Sequence, residues 1–451
     1  MRSGTEIELS IGAITPDGDG WAESGGRQFH VARAVPGDRV VARVFGRRRG
    51  VTLAQVIARQ EETVARRAPL CPAFGVCGGC RWQEVRYADQ LSLKASMVAT
   101  ALQSADVPLP DPEPILPSPD EFFYRNKMEF AFGRSREGEF QLGLHARGSF
   151  NRLINTERCM LQSTTSIAIV NAVRRAAPEL ELPVYDLRRH VGVLRFLTVR
   201  DAKSSGEHLV NLVVGAYPHA GVDSLAERVL AQVQAITTWV TALHEGKAQV
   251  AMGQGVALAH GTGAIVERCN GIDYQISPKS FLQTNTRQTE QLYRLVCDWA
   301  GDVRGARILD LYCGAGGVGL QLARGAGQVC GIESVPEAVA DARGNAHRNG
   351  IGNCIFLEGA VETVLPGLAH EAFPLAIVDP PRAGMHERAA AALAALRPPR
   401  ILYVSCNATT LAVDVGRLAL AGYRVRRWRP VDLFPQTPHC EVVAELALEG
   451  A

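Results

Sequence analysis

Cys406 has the clearest capacity for chemistry in this chain, because it comes just after an apolar run, Ile401 to Val404, that is typical of a buried strand. Open α/β sheets gather reactive groups at the carboxyl ends of their strands, and a thiolate there can act as a nucleophile. Two further apolar runs end in a glycine loop after Asp310 and in a turn at Asp379. Since strands and helices alternate through this half of the chain, we predict that all three sites line one crevice.

The glycine loop runs from Gly314 to Gly319 and contains the G-x-G-x-x-G pattern. Glycines let a backbone touch a ligand without obstruction by side chains, and Glu333 at the end of the next predicted strand could accept hydrogen bonds from ribose hydroxyls. The loop alone fits a nicotinamide dinucleotide, S-adenosylmethionine or a tight turn without a ligand. Together with Asp310 and Asp379 it favours S-adenosylmethionine.

The third site is the turn Asp379-Pro380-Pro381-Arg382. In methyltransferases that act on amino groups, an aromatic residue follows the prolines and stacks on the target. Arg382 stands at that position, so an amino target is disfavoured. Asp379 could also cap the turn without any catalytic role.

A cysteine beside a methyl donor indicates alkylation of a pyrimidine carbon. C5 of uracil is a poor nucleophile, but addition of a thiolate at C6 makes it reactive, and a base must later remove the C5 proton so that the thiolate can leave. Glu441 is the favoured base and His439 the competing one, since an imidazole titrates near neutral pH. The alternative for Cys406 is a small buried residue.

A second set of cysteines has the spacing of metal ligands. Cys71, Cys77 and Cys80 follow one another as C-x5-C-x2-C, and Cys159 is the best-placed fourth ligand. Four thiolates suit either zinc or an iron–sulfur cluster. The spacing differs from the C-x3-C-x2-C of radical enzymes, so we expect a structural role.

Length and composition predict a soluble protein of several domains. A chain of 451 residues is too long to fold around one hydrophobic core of ordinary size. Its net charge of +2 says little about its binding partners. No segment is apolar enough to span a bilayer, and residues 1–10 lack a secretory signal, so we expect no membrane association and a cytoplasmic location. The eleven cysteines then indicate metal binding, catalysis or burial rather than disulfides.

The elements divide the chain into regions. Short strands separated by Gly, Asp and Pro turns predict a small β-barrel up to about residue 60. A cysteine segment and a helix follow, and then a linker, residues 108–119, in which six of twelve residues are proline. We expect strands with one helix, Ser224 to Ile236, up to about residue 275, and an α/β domain that begins with a helix from Thr286 to Trp299.

These motifs together resemble the bacterial RNA (uracil-5-)methyltransferase family, over nearly the whole chain. The resemblance implies a multidomain α/β protein: a TRAM-like, OB-like barrel at residues 1–60, a central α+β RNA-binding domain at 61–275 and a Rossmann-like class I methyltransferase domain at 276–451. It also implies a [4Fe-4S] cluster held by Cys71, Cys77, Cys80 and Cys159.

The resemblance assigns the remaining site residues. Cys406 within Ser405-Cys406-Asn407 matches the nucleophile, and Glu441 within His439-x-Glu441 matches the base. Binding of S-adenosylmethionine falls to Gln283, Tyr312, Gly314, Gly316, Gly317, Glu333 and Asp379.

Two residues depart from the family pattern and leave the RNA target open. Gly317 stands where several relatives carry Asn, although enzymes for one 23S ribosomal uridine share the Gly, and Ala408 replaces a usual Pro. We expect 23S ribosomal RNA as substrate, with transfer RNA as the alternative, and a monomer that flips its target base. The rival classes are an NAD-dependent iron–sulfur oxidoreductase and a non-catalytic RNA-binding protein.

Overall fold

The computed structural model describes residues 2–149 and 151–450, which form three large sheets and one separate hairpin. The N-terminal sheet has the strand order β1-β5-β6-β4-β3-β2. Its strands are β1 Glu6–Ser10, β2 Ala13–Ile14, β3 Gly20–Ser24, β4 Arg27–Ala32, β5 Arg39–Arg48 and β6 Val51–Glu61. β1 also contacts β3 near the opposite edge, so the sheet curls around a core that includes Phe29 and Val40.

Helix α1, Tyr87–Gln103, follows the cysteine segment. Its buried residues recur every four positions, at Gln90, Lys94, Val98 and Leu102, so one side of the helix is buried along its whole length. Val98 and Leu102 pack into the core of the C-terminal sheet. The two polar members of the face therefore also point into that part of the protein.

The central sheet has the order β13-β12-β11-β10-β7-β8-β9. Its strands are β7 Lys127–Arg134, β8 Phe140–His145, β9 Leu153–Asn155, β10 Leu194–Asp201, β11 His208–Val214, β12 Ile236–Leu243 and β13 Gln254–His260. Helices α2, Thr164–Glu179, and α3, Ala220–Gln232, lie in the same region and share its hydrophobic core.

The prediction of a single helix in this region was wrong. Helix α2 is rich in Thr, Ile and Val, which favour strands locally, but Ser163 caps it by accepting a hydrogen bond from the Ser166 amide at 3.1 Å. The predicted helix from Ser224 to Ile236 is α3, which begins at Ala220 and ends at Gln232, while Ile236 begins strand β12.

A two-stranded hairpin, β14 Ile265–Cys269 and β15 Ile272–Ile276, follows the central sheet. Its buried Ile265, Ile272 and Tyr274 belong to the same core as the buried residues of the next helix, α4, Thr286–Ala300. The hairpin therefore packs with the C-terminal part of the chain, and the predicted domain boundary near residue 276 falls within β15.

The C-terminal sheet has the order β18-β17-β16-β19-β20-β22-β21. Its strands are β16 Arg307–Leu311, β17 Gln328–Glu333, β18 Cys354–Glu358, β19 Leu375–Val378, β20 Arg400–Ser405, β21 Tyr423–Val431 and β22 Glu441–Leu448. The helices between them are α5 Gly317–Ala323, α6 Pro336–Arg348, α7 Val361–Val364, with a 3₁₀ turn at Leu365–Leu368, α8 Glu387–Leu396 and α9 Ala408–Leu420.

The order of this sheet places a crevice beside β16. Strands β16 to β20 run parallel, and the chain leaves β16 first towards β17 and later towards β19 on its other side. Ligands of open α/β sheets bind at the carboxyl ends of strands where the order reverses in this way. β22 then enters antiparallel to β20, so its first residue lies at the same end of the sheet.

The proline-rich segment lies along the edge of the C-terminal sheet. The amides of Glu113 and Leu116 donate hydrogen bonds to the carbonyls of Trp428 and Pro430 on β21, each at 2.9 Å, and the Asp432 amide donates to Leu116 at 2.9 Å. A stiff extended chain suits this role because it loses little entropy when it lies against an edge strand.

Among the described residues, no helix has the length and apolar character needed to cross a membrane.

Candidate active site

Cys406 and Glu441 lie side by side at the end of the C-terminal sheet. In the antiparallel pair β20 and β22, Ser405 stands opposite Val442, so the next position along the ladder brings Cys406 opposite Glu441. Asp379 follows β19, the other neighbour of β20. The three predicted residues from separate sequence motifs therefore meet at one edge.

The acidic groups at this edge disfavour one another's charge. Burial, and then the neighbouring Asp379, raise the pKa of Glu441 to about 8. Burial raises the pKa of Asp379 to about 7, and burial together with the Asp379 charge does the same for Asp310 at the end of β16. These carboxyl groups therefore favour their neutral forms, and a cation beside them would favour their ionised forms.

The Cys406 thiol is half-buried in the same electrostatic environment. Burial raises its pKa to about 11, and Glu441 and Asp379 act in the same direction, while Arg382 lowers it. The guanidinium of Arg382 is the cation that favours the thiolate here. The Arg382 carbonyl accepts a hydrogen bond from Asn407 Nδ2 at 3.2 Å, which ties the two motifs together.

The two candidate bases differ in their surroundings. Glu441 is only 1% exposed, and its Oε2 atom has no hydrogen-bond partner within the protein. For His439, burial and then Arg382 lower the pKa of the imidazole to about 4, so the ring is neutral at pH 7. A buried carboxylate oxygen without a partner is costly unless a ligand supplies one, which favours Glu441 as the group that faces a substrate.

The glycine loop has the backbone of a ligand cradle. Tyr312, Gly314 and Gly316 have positive φ angles of 62°, 53° and 86°, and a left-handed conformation at a tyrosine is strained. The Gly314 amide donates a hydrogen bond to Glu333 Oε2 at 3.1 Å, so the predicted ribose-binding carboxylate lies against the loop. The Tyr312 hydroxyl is buried without a partner.

Gly317 has a structural explanation that the sequence did not reveal. A Cβ atom at this position would lie 2.5 Å from the hydroxyl oxygen of Tyr293 on α4. The Asn of several relatives therefore could not replace Gly317 beside this tyrosine without a shift of the loop or the ring. The Gly317 carbonyl also accepts a hydrogen bond from the Tyr274 hydroxyl at 2.8 Å.

Gln283 lies outside the sheet edge, in the loop between β15 and α4. Its carbonyl accepts a hydrogen bond from Asn126 Nδ2 at 2.9 Å, which attaches this loop to the central sheet region. Asn285, at the end of the loop, caps α4 and donates through Nδ2 to the Leu433 carbonyl at 3.1 Å. The loop thus contacts the segment that leads to Glu441.

The four predicted metal-ligating cysteines line one cavity of about 640 Å³. Burial is the main reason that the pKa of Cys80 rises to about 12, and Cys159, Cys71 and Cys77 act in the same direction, so the four thiols lie within electrostatic reach of one another. Within residues 2–149 and 151–450, no three His, Cys, Asp or Glu side chains converge as they would around a single metal ion.

Comparison with known proteins places the chain in a family. The family model described as tRNA (Uracil-5-)-methyltransferase matches residues 86–447. The chain belongs to the tRNA (uracil-5-)methyltransferase family. Within the solved structures, it is similar to the crystal structure of Pyrococcus abyssi tRNA (uracil-54, C5)-methyltransferase in complex with S-adenosyl-L-homocysteine, with 28% identity, a TM-score of 0.80 and coverage of 98% of this chain and 99% of that one.

Two bacterial relatives cover almost the whole chain. A Clostridium tetani protein described as an uncharacterized RNA methyltransferase is 35% identical over 450 residues, which are 99% of this chain and 98% of that protein. A Nitratidesulfovibrio vulgaris protein with the same description is 36% identical over 455 residues, covering 99% and 97% respectively. The resemblance to the uracil-5-methyltransferase family that the motifs predicted is thereby confirmed.

Sequence reasoning missed several residues that hold the site of this family member together. Tyr274 and Tyr293 contact Gly317, and Gln90 and Lys94 reach the segment before Glu441 from α1. Of these residues, only Gln90 and Lys94 could have been found from the sequence. They continue the four-residue spacing of Val98 and Leu102, which places two polar residues on a buried helix face.

The raised pKa of Asp379 predicts how pH affects stability. A carboxyl group whose pKa rises from 3.8 to about 7 on folding stabilises the folded state below pH 4, and this contribution disappears as the pH rises through about 7. Asp379→Asn has no charge to bury. We expect the free energy of unfolding of this variant to rise relative to that of the unsubstituted protein between pH 4 and 8, by about a few kcal/mol at most.

Urea unfolding of both proteins at several pH values, without methyl donor, measures this difference. If the free energies of unfolding of the two proteins changed in parallel with pH, Asp379 would ionise normally in the folded protein. Asp302→Asn, at an exposed carboxylate paired with Arg304, is the control and should not gain stability relative to the parent as the pH rises.

Proposed function

We propose that this protein transfers the methyl group of S-adenosylmethionine to C5 of a uridine in RNA. The adjacency of Cys406 and Glu441 across β20 and β22 carries the proposal. A nucleophile and a base within one site are what C5 methylation needs, because one must add to the ring and the other must remove a proton from it.

The proposed reaction assigns each group one task. The Cys406 sulfur bonds to C6 of the flipped uracil, which makes C5 nucleophilic enough to take the methyl group. Glu441 then removes the C5 proton, and the C5–C6 double bond re-forms as the thiolate leaves. The unpartnered Oε2 of Glu441 and its raised pKa support the assignment, since a buried carboxylate is a stronger base than an exposed one.

The methyl donor would bind in the crevice beside β16. The open backbone of the glycine loop at Gly314, Gly316 and Gly317 supports this, and so does the position of Glu333 against Gly314. A sulfonium cation would also relieve the repulsion between the acidic groups of the crevice. We propose Gln283, Tyr312 and Asp379 as further contacts, because the family resemblance assigns all three to the donor; the buried, unpartnered hydroxyl of Tyr312 supports its assignment.

For the RNA target we propose a uridine of 23S ribosomal RNA, because Gly317 is a feature shared with enzymes of that specificity. Transfer RNA is the second candidate, because the family model and the Pyrococcus abyssi relative carry that substrate in their descriptions. We also propose a cytoplasmic location, where these RNAs are found, and a monomeric enzyme.

We further propose three domains: a TRAM-like barrel at residues 1–60, a central domain, and a C-terminal domain that begins ahead of the hairpin β14–β15 rather than at residue 276. The curled N-terminal sheet supports the barrel, and the exposed Arg47, Arg48 and Arg49 at the turn between β5 and β6 suit contacts with RNA phosphates. The cluster Arg424 to Arg429 suits this less well, because Arg424 and Arg427 pair with Glu449 and Glu445.

Methylation of purified RNA tests the proposed function. The protein is incubated with S-adenosylmethionine and with ribosomal or transfer RNA from a strain that lacks the gene, and the nucleosides are then analysed. We expect 5-methyluridine to appear in ribosomal RNA. Its appearance in transfer RNA alone would overturn the proposed target, and its absence from both would overturn the proposed activity.

We also propose that Cys71, Cys77, Cys80 and Cys159 hold a [4Fe-4S] cluster. We expect Cys77→Ala to lose the bound iron and to unfold at a lower temperature, because the cavity then lacks one of its ligands. Iron analysis and thermal unfolding after anaerobic purification measure both effects. Cys354→Ala, at a half-buried cysteine on β18, is the matched control and should retain the iron. A fully stable wild-type protein without iron would contradict the cluster.

A further inference from the structure

The loop that leads to Glu441 is held by residues from a distant part of the chain. We define the base loop as residues 432–440; it closes between Val431 and Glu441, which are paired in β21 and β22. Gln436, in its middle, is fully buried and has a φ angle of 70°, which is unfavourable for a residue other than glycine. Such a conformation persists only where the surroundings fix it.

Gln90 of α1 supplies the first of these contacts. Its Oε1 atom accepts a hydrogen bond from the Gln436 amide at 2.9 Å, and its Nε2 atom donates one to Gln436 Oε1 at 2.9 Å. Gln90 is itself fully buried, so neither bond can be replaced by water. The two glutamines thus fix both the backbone and the side chain at the strained position.

Lys94, one turn further along α1, supplies the second contact. Its ammonium group donates hydrogen bonds to Asp432 Oδ1 and, at 2.9 Å, to the Phe434 carbonyl. Both partners of this ion pair are fully buried. A buried ion pair adds little net stability, but it fixes one geometry, because any other arrangement leaves a charge unpaired.

We propose that Gln90 and Lys94 are positioning residues, which set the base loop so that its end places Glu441 for removal of the C5 proton. The inference rests on the proposed function, since it concerns the step assigned to Glu441. Addition of the Cys406 sulfur to the ring should not depend on Gln90 or Lys94. Cys406 is positioned instead by β20 and by the cap of α9, where Asn407 Oδ1 accepts a hydrogen bond from the Thr409 amide at 3.2 Å.

The test compares two kinds of RNA. With RNA that carries 5-fluorouridine, the covalent complex at Cys406 accumulates without any need for a base, because C5 has no proton to lose. With ordinary RNA, the complex accumulates only if proton removal is slow. We expect Gln90→Ala to form the fluorinated complex within about twofold of the wild-type rate, and to raise the covalent fraction on ordinary RNA at least tenfold.

Val98→Ala is the matched control on the same helix face. It removes core packing without touching the base loop, so we expect a lower unfolding temperature and an unchanged covalent fraction. The double variant Lys94→Met/Asp432→Asn removes both buried charges together and should resemble Gln90→Ala.

The outcomes separate this inference from the proposed function. If Gln90→Ala and the double variant slow both steps equally, or leave the covalent fraction on ordinary RNA unchanged, then α1 has only a structural role and the inference is wrong. If the wild-type protein forms no complex with fluorinated RNA, the proposed function itself fails.

Discussion

Cys406→Ala is expected to abolish methylation while leaving the fold and donor binding intact. Without the sulfur, C5 of uracil keeps its weak nucleophilicity, so we expect the turnover rate to fall by roughly four orders of magnitude or more, as for other nucleophile deletions. The half-buried thiol lies at the end of β20 rather than in the core, so its removal leaves no large cavity. Transfer of radioactive methyl groups to RNA measures the loss.

A matched cysteine controls for general effects of thiol removal. Cys330 is buried within β17 of the same sheet, and Cys330→Ala should retain turnover within a fewfold of the wild-type value. Donor binding measured by calorimetry should be similar in the wild type and both variants. Normal turnover in Cys406→Ala would mean that methyl transfer needs no covalent step at this residue.

Glu441→Gln is expected to stop the reaction after methyl transfer, at removal of the C5 proton. The variant retains the thiol and the donor crevice, so it should add to the ring and transfer the methyl group, but its amide cannot accept the C5 proton. We expect product release to slow by about 10²- to 10⁴-fold, the usual contribution of a positioned base. The methylated RNA should therefore remain bound to the protein through a covalent bond that survives denaturation.

His439 supplies the discriminating comparison for this prediction. His439→Asn removes the competing base and should release product at a rate near that of the wild type. The opposite pattern, with a trapped complex in His439→Asn and normal turnover in Glu441→Gln, would assign the proton to the imidazole. Burial has already lowered the pKa of His439 to about 4, so its neutral ring can still accept a proton, but only weakly.

The sequence indicated that Asp310, Asp379 and Cys406 lie at one edge of the sheet, because each follows a short apolar run. Strands β16, β19 and β20 are buried in the sheet and each contains a short apolar run, so the three residues were expected to meet near the carboxyl ends of these strands. The register of β22 against β20 could not be read in the same way. Only the structure shows that Ser405 pairs with Val442, and this register places Glu441 one position further on, beside Cys406.

Other features depend on contacts between distant segments, for which local patterns carry little information. Helix α2 was missed because its Thr, Ile and Val residues favour strands, and burial on the central sheet decides its structure. The proline-rich segment was predicted as a stiff linker, but the sequence did not indicate that it forms hydrogen bonds along β21. The partnership of Gln90 with Gln436 joins positions 346 residues apart, beyond any periodicity in the chain.

The most direct measurement is the mass of the peptide that becomes bonded to RNA. Wild-type protein is incubated with S-adenosylmethionine and RNA that carries 5-fluorouridine, denatured, and digested with protease and nuclease before mass spectrometry. We expect one peptide, the one that contains Cys406, to carry a methylated fluorouridine nucleotide. Attachment at any other residue, or no attachment while ordinary RNA is still methylated, would contradict the account.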